Sequence, residues 1–350
     1  MLMQLRLFTL NQYRLVIGLL LSGCFLTVAA QEPEPQSAID TAPAAELEAA
    51  ALETSLELDR YTRSIQDIES SLGIYSPALV EAYSDLGTFY FEIGDYEQAA
   101  NVYRQALQVA RINSGLKSEN QLPVIDQIIS SSVAQGDWQS TDDMHHLRFY
   151  VKNQILEPSD PRFVDAIDEM GRWKLRALRE NLLGRGYRNL TEEASDLSEL
   201  YQDGIARVLG AASFSETSLL PLYQGKSLAD IEIARYLAST PYQYFKGTVN
   251  EFIYQRVCNN VRDAQGNIVR NCYSVRRENP RYRQSQQDAK RLAVYRSVRA
   301  VEGSIDNLNT ILASNNDIPP PQREEVTSQI RQMQVEFDRI TRDTRRRLLF

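Results

Sequence analysis

Histidine is almost missing: the 350 residues hold two, His145 and His146, side by side. Consecutive residues on a helix point about 100° apart, so the pair cannot readily share a metal ion. Behind Asp142 and Asp143 the two read as part of a polar helix start. A Ser-His-Asp triad would have to be built from this pair alone. Cysteine is scarce too, with three in the chain and no Cys-x-x-Cys spacing that would suit a redox or zinc site. There is no Gly-rich phosphate loop, no His-Glu-x-x-His and no Gly-x-Ser-x-Gly. Ser114-Gly115-Leu116-Lys117 does spell Ser-x-x-Lys, but it lies in a glycine-bearing linker without its companion motifs. Glu324-Glu325 is a pair of the kind solvated helices carry. These absences point to a non-catalytic protein that needs no cofactor and no metal. The alternative is an envelope enzyme of unfamiliar type, with its site after residue 184.

Long apolar runs are also rare, and the first thirty residues hold the clearest one. Arg6 and Arg14 precede an apolar stretch over residues 15–21, the pattern of a signal peptide spanning residues 1–30. Two cleavage sites present themselves. Val28-Ala29-Ala30 before Gln31 suits ordinary signal peptidase, and Leu21-Ser22-Gly23-Cys24 resembles a lipobox with Cys24 as the acylated residue. The first leaves a free periplasmic protein; the second attaches it to a membrane through lipid on Cys24. The apolar run is short for an uncleaved span. Residues 31–59 then carry eight acids and no base, with Pro33, Pro35 and Pro43 early on, and residues 31–44 read as a disordered tether.

Export places the remaining cysteines, Cys258 and Cys272, in a compartment that permits disulfides. Between them, Val261 and Ile268-Val269 suit strands, and Ala264-Gln265-Gly266 suits a three-residue turn with glycine in the left-handed position. Folding about Gln265 sets Cys258 opposite Cys272, which predicts a disulfide-closed hairpin over residues 256–275. The formal charge is −8, yet residues 275–350 hold 15 Lys+Arg against 10 Asp+Glu. That basic surplus reads as a solvated helical face, and an exported protein with no stronger basic patch is not a nucleic-acid binder.

Helical periodicity starts near Ala45 and runs to about Leu72. Further on, Tyr83, Leu86 and Tyr90 share one helical face, Gly94-Asp95 breaks the helix, and Ala99, Tyr103, Ala106 and Leu107 share the face of a second helix. Gly87, Ala99 and Ala106 are small where two helices must approach closely. From Val80 onward, the signature over Tyr83, Leu86, Gly87, Tyr90, Gly94, Ala99, Tyr103 and Ala106 resembles the tetratricopeptide repeat. Tyr83 stands for the usual tryptophan, and Arg111 where proline is frequent. A period of 42 residues relates Leu86 to Ile128 and Met170, Gly94 to Gly136, Gly87 to Gly171 and Tyr103 back to Tyr61. That spacing is similar to kinesin-light-chain-like repeats, and the later copies degenerate: Ile129 replaces glycine, Thr141 alanine and Lys174 tyrosine. The resemblance extends to exported repeat proteins of Gram-negative envelopes.

The resemblance implies a TPR-type α-solenoid over residues 45–183, and the pattern beyond Gly184 stays mainly helical without an obvious repeat, so the expected fold is all-α: the solenoid followed by a helical C-terminal region. That region comprises a helical domain over 184–284 that contains the hairpin, and a long antiparallel helical pair over 285–350. The pair is expected to start at an N-cap on Ser285 and to set Leu292, Val298, Val301, Ile305, Leu308 and Ile311 against Val326, Ile330, Met333, Phe337 and Ile340. The aromatic clusters at residues 242–245 and 252–254 are expected in the core. The family pattern further implies a concave partner-binding groove formed by Ser84, Thr88 and Phe91, then Asp126, Ser130 and Val133, then Asp168, Arg172 and Leu175. Phe91 could serve as an aromatic anchor or pack against the next repeat. The partner implied is another envelope protein or peptide segment, in tasks such as organising peptidoglycan enzymes, pilus or outer-membrane assembly.

Overall fold

The computed structural model describes residues 42–348; the signal peptide, both cleavage sites, Cys24 and residues 31–41 of the acidic tether lie outside them. Helix α1 (Ala42–Leu72) begins in an alanine-rich stretch that favours helix intrinsically. The chain divides into two compact units inside α1, between Thr54 and Ser55. The first unit, as far as described, is the N-terminal part of this helix, exposed over residues 48–53. Everything else belongs to the second unit.

In the second unit, α1 from residue 55 onward buries Ile65 with Leu79, Leu86 and Phe89 of α2 (Ala78–Glu92) and Val102 and Val109 of α3 (Tyr96–Ser114). It thus acts as the half-repeat before α2 and α3. The next pairs are α4 (Leu122–Gln135) with α5 (Trp138–Ile155), and α6 (Pro161–Glu180) with α7 (Tyr187–Leu209). Caps show why the chain turns where it does. Gly94 and Gly136 take left-handed φ values of 84° and 78°, which glycine adopts without a Cβ penalty. Asp95 and Asp137 then each accept a hydrogen bond from the backbone N–H three residues on, at 3.2 and 3.0 Å. Both features recur 42 residues apart, so the repeat is written in its helix ends as well as its core.

Close helix approach is the other requirement, and Gly87 meets it. A Cβ there would lie 2.5 Å from the ring of Tyr103. In the third pair Gly171 of α6 faces Tyr201 of α7, and Gly225 of α8 (Leu220–Ser239) closes on the same ring from the other side.

Past α7 the core does not stop. Phe163, Ile167 and Leu178 of α6 share one apolar cluster with Tyr201 and Ile205, with Leu222 and Ile231 of α8, and with Leu308 of α9 (Tyr282–Ser314) and Ile330 of α10 (Pro320–Leu348). Residues on both sides of 183 and 184 therefore bury one another. Among the described residues no helix is long and apolar enough to cross a membrane.

Strands β1 (Phe252–Arg262) and β2 (Ile268–Glu278) form an antiparallel ribbon in which Cys258 pairs with Cys272. The two are joined by a disulfide. The turn is the expected one: Asp263 N–H donates to the Asn267 carbonyl at 2.9 Å across Ala264-Gln265-Gly266, and Gly266 has φ 87°. The strands are longer than residues 256–275 because pairing continues to Phe252 and Glu278.

Several expectations fail here. The aromatic clusters are not core: Tyr244 is 70% and Tyr254 75% exposed, because the segment feeds the ribbon instead of lying under it. Ser285 is not the N-cap of α9. The helix starts at Tyr282, Asn279 Oδ1 accepts from the Arg281 N–H at 3.0 Å, and the Ser285 hydroxyl donates back to the Tyr282 carbonyl at 2.7 Å. Leu292 is 46% exposed and Val294 is buried instead, while Val301, Ile305, Leu308 and Ile311 are buried as expected.

An isolated two-stranded ribbon is marginal in water, so the disulfide should matter locally. Closing a loop of this length is worth about 3 kcal/mol on a chain-entropy basis. Cys258→Ser/Cys272→Ser should abolish amide protection along β1 and β2 in hydrogen exchange while leaving helical melting almost unchanged. Equal protection in both forms would show that the ribbon needs no staple.

Candidate functional site

The residues the repeat pattern nominates lie on the first helix of each pair, α2, α4 and α6. On α2, Ser84 is half-buried and Thr88 exposed, with the Thr88 hydroxyl 3.0 Å from that of Tyr103. Phe91 is half-buried. Its ring stands edge-to-face against Tyr96 at 5.2 Å and packs on the core shared by α3, α4 and α5, so packing claims part of it. On α4, Asp126 and Ser130 are exposed and Val133 is half-buried. Arg148 of α5 donates to Asp126 at 2.8 Å and lies 3.7 Å from Glu169 of α6, which also accepts from Lys152 at 2.7 Å. Arg148 and Lys152 keep only 17% and 20% of their side chains in solvent, so these partly buried pairs fix the charge pattern along this part of the chain.

On α6, Asp168 pairs with Arg172 at 3.0 Å, and Leu175 is buried in the core. Asp168 and Arg172 open into a cleft of about 530 Å³ whose far wall is α10, with Gln329, Gln332 and Glu336. The third set of groove positions is therefore roofed by the C-terminal helix, whereas the first two sets are open. Burial pushes the Asp168 carboxyl above its ordinary range, against the pull of Arg172.

Between the second and third pairs lies a polar knot. Asp142 of α5 is only 5% exposed, and its Oδ1 accepts from Trp173 Nε1 at 2.7 Å and Lys174 Nζ at 3.0 Å, both on α6. Burial alone would raise its pKa, but the two hydrogen bonds and the lysine charge hold it below the usual carboxylate range. The sequence hinted at this, since Lys174 occupies a tyrosine position and Thr141 an alanine position. It offered no sign that Lys174 would reach Asp142 across helices, and Thr141 takes no part: its hydroxyl donates to the Asp137 carbonyl at 2.8 Å.

The histidines are not at a helix start. They sit in the middle of α5, because Asp137 and not the Asp142-Asp143 pair caps it. The His145 ring stacks on Trp173 at 4.7 Å and 5°, and His146 Nε2 is 3.7 Å from Asp142. No group of three or more His, Cys, Asp or Glu residues that could hold a metal occurs among the described residues. The Ser114 hydroxyl donates back to the Ala110 carbonyl at 2.7 Å, and Gly115 ends the helix before Lys117.

Burial, with the nearby Arg148 charge, lowers the His145 pKa from 6.5 to about 4. The unfolded chain therefore takes up this proton first as pH falls. The linked stability is full above pH 6.5 and is lost on acidification to about pH 4. Thermal melts of wild type should decline across that window, and His145→Gln should flatten the decline. Parallel pH profiles for the two proteins would contradict the burial of this ring.

A profile described as tetratricopeptide repeat matches residues 58–112. No curated protein matches the chain. Among solved structures, the chain is similar to the kinesin light chain nearly identical TPR-like repeats of Podosopora anserina. The identity is 12%, the match covers 55% of this chain and 85% of that one, and the TM-score is 0.37. A singly substituted form of the same repeats matches with the same identity and TM-score over 84% of its length.

Proposed function

We propose that this protein is a non-catalytic adaptor of the bacterial cell envelope that binds another protein through the open face of α2 and α4. The observation that carries the reading is the exposure of Thr88, Asp126 and Ser130 along consecutive first helices, flanked by half-buried Phe91 and Val133. Apolar ground with a polar, partly charged rim is what protein recognition uses. Tetratricopeptide repeats suggest a protein-interaction scaffold in their own right. Placement in the periplasm, free or held through lipid on Cys24, rests on the leader pattern of residues 1–30. The test is retention of partners from envelope extract on the immobilised mature chain. Thr88→Arg/Ser130→Arg should lose a partner that Gln105→Arg, altered on the exposed side of α3, retains. Equal retention by both variants would overturn the reading.

A further inference from the structure

The ribbon sorts its side chains into two unlike faces. Strand alternation puts Arg256, Arg262, Arg270 and Arg276 on the same face as the disulfide, with Phe252 and Tyr254. The opposite face carries Ile253, Val257 and Val261 of β1 with Val269, Tyr273 and Val275 of β2. Neither face is covered: Ile253, Val261, Val269 and Tyr273 are all more than two-fifths exposed. Residues 246–283, the ribbon and its stem, hold eight Lys+Arg against three Asp+Glu in a chain of net charge −8. Arg276 lies over the Phe252 ring, but Arg256, Arg262 and Arg270 make no ion pair among the described residues.

The direction of the backbone adds a second constraint. Asp263 bonds to Asn267 at the turn, and Asn279 N–H to the Glu251 carbonyl at the stem, at 2.8 Å. In an antiparallel ladder bonded pairs alternate with unbonded ones, so the odd-numbered residues of β1 bond to β2. The N–H and C=O groups of Tyr254, Arg256, Cys258, Asn260 and Arg262 therefore point outward along the open edge of β1. These are the residues of the arginine face. Natural sheets blunt such edges with charged side chains, proline or a bulge; β1 has no proline or bulge over eleven continuous pairs, and its charges, Arg256 and Arg262, are of one sign.

We propose that the open edge of β1 is a second docking element, taking an extended segment of a partner protein by strand addition. The segment would carry carboxylates opposite Arg256 and Arg262 and apolar side chains at the alternate positions. A third strand extends both faces at once: its acids pair with the arginines, its apolar residues continue the Val257–Val261 face, and its backbone satisfies the outward groups. A lipid surface would meet only one of the two faces and leave the other in water. The polar turn with Asp263 at its tip is also unsuited to entering an anionic bilayer.

The test uses the full mature chain and a labelled eleven-residue peptide alternating glutamate and valine, followed by fluorescence anisotropy. Saturable binding is expected, weakened at least tenfold by Arg256→Glu/Arg262→Glu. It should be lost when the glutamate amides, which bond to the outward groups of Arg256 and Arg262, are N-methylated, and absent for the lysine–valine counterpart. Circular dichroism on the variant verifies its fold, and the conservative Arg256→Lys/Arg262→Lys should retain most of the affinity. Binding that survives N-methylation would reduce the site to charge attraction and overturn the proposal. So would absence of peptide binding together with arginine-dependent binding to vesicles containing phosphatidylglycerol. Either failure leaves the groove on α2 and α4 untouched.

Discussion

Gly171→Ala should destabilise the protein, although alanine is the better helix former by about 1 kcal/mol. The reason is Tyr201, which is 2% exposed and held between Gly171 of α6 and Gly225 of α8. A Cβ at position 171 would run into the hydroxyl end of the ring, and Gly225 leaves the ring nowhere to retreat. Overpacking of this kind costs roughly 1–3 kcal/mol, and Gly171→Leu should cost more. Gly87→Leu should act in the same direction against Tyr103. Two comparisons isolate the cause. Tyr201→Phe removes the atom nearest the new methyl and should recover part of the loss. Gly303→Ala, on α9 with nothing within 4 Å of the new Cβ, should be neutral or stabilising. Thermal melts that rank Gly171→Ala with Gly303→Ala would show that the glycine clamp on Tyr201 is not real.

The second large effect is expected at Asp142. Asp142→Ala leaves the Trp173 indole N–H and the Lys174 ammonium without their shared acceptor in a site that is nearly closed to water. Removing one partner of a buried charged pair typically costs 3–5 kcal/mol. Lys174 keeps a fifth of its side chain in solvent, so the lower end, about 3 kcal/mol, is expected. Lys174→Met should rescue part of this, because it withdraws the charge that Asp142 neutralised. Denaturant midpoints for the single and double variants would measure the coupling directly. Additive losses would mean that the two residues stabilise α5 and α6 separately.

The sequence revealed most where chemistry is local. Gly94-Asp95 and Gly136-Asp137 announce helix ends through φ and capping, and both fall where the 42-residue period puts them. Gly266 and the spacing of Cys258 and Cys272 set the register of the ribbon for the same reason. What could not be read depends on contacts between elements distant in sequence. Tyr201 fills the space against Gly171, yet two periods on from Tyr103 the chain carries Tyr187, the first residue of α7, and the contact is made 14 residues further along that helix. The Asp142–Trp173 contact spans 31 residues, and the roof that α10 places over Asp168 and Arg172 joins segments more than 150 residues apart. Aromatic density at residues 242–254 suggested core, but hydrophobicity alone does not tell a buried cluster from a stem that projects a ribbon.

The open face of α2 and α4 is tested most directly by photo-crosslinking in intact cells. A benzophenone side chain would be placed singly at Thr88, Ser130 and Gln105 of the full-length chain. Adducts of one common mass from Thr88 and Ser130, with none from Gln105, are the expected result. Adducts from Gln105 with none from Thr88 or Ser130 would contradict it.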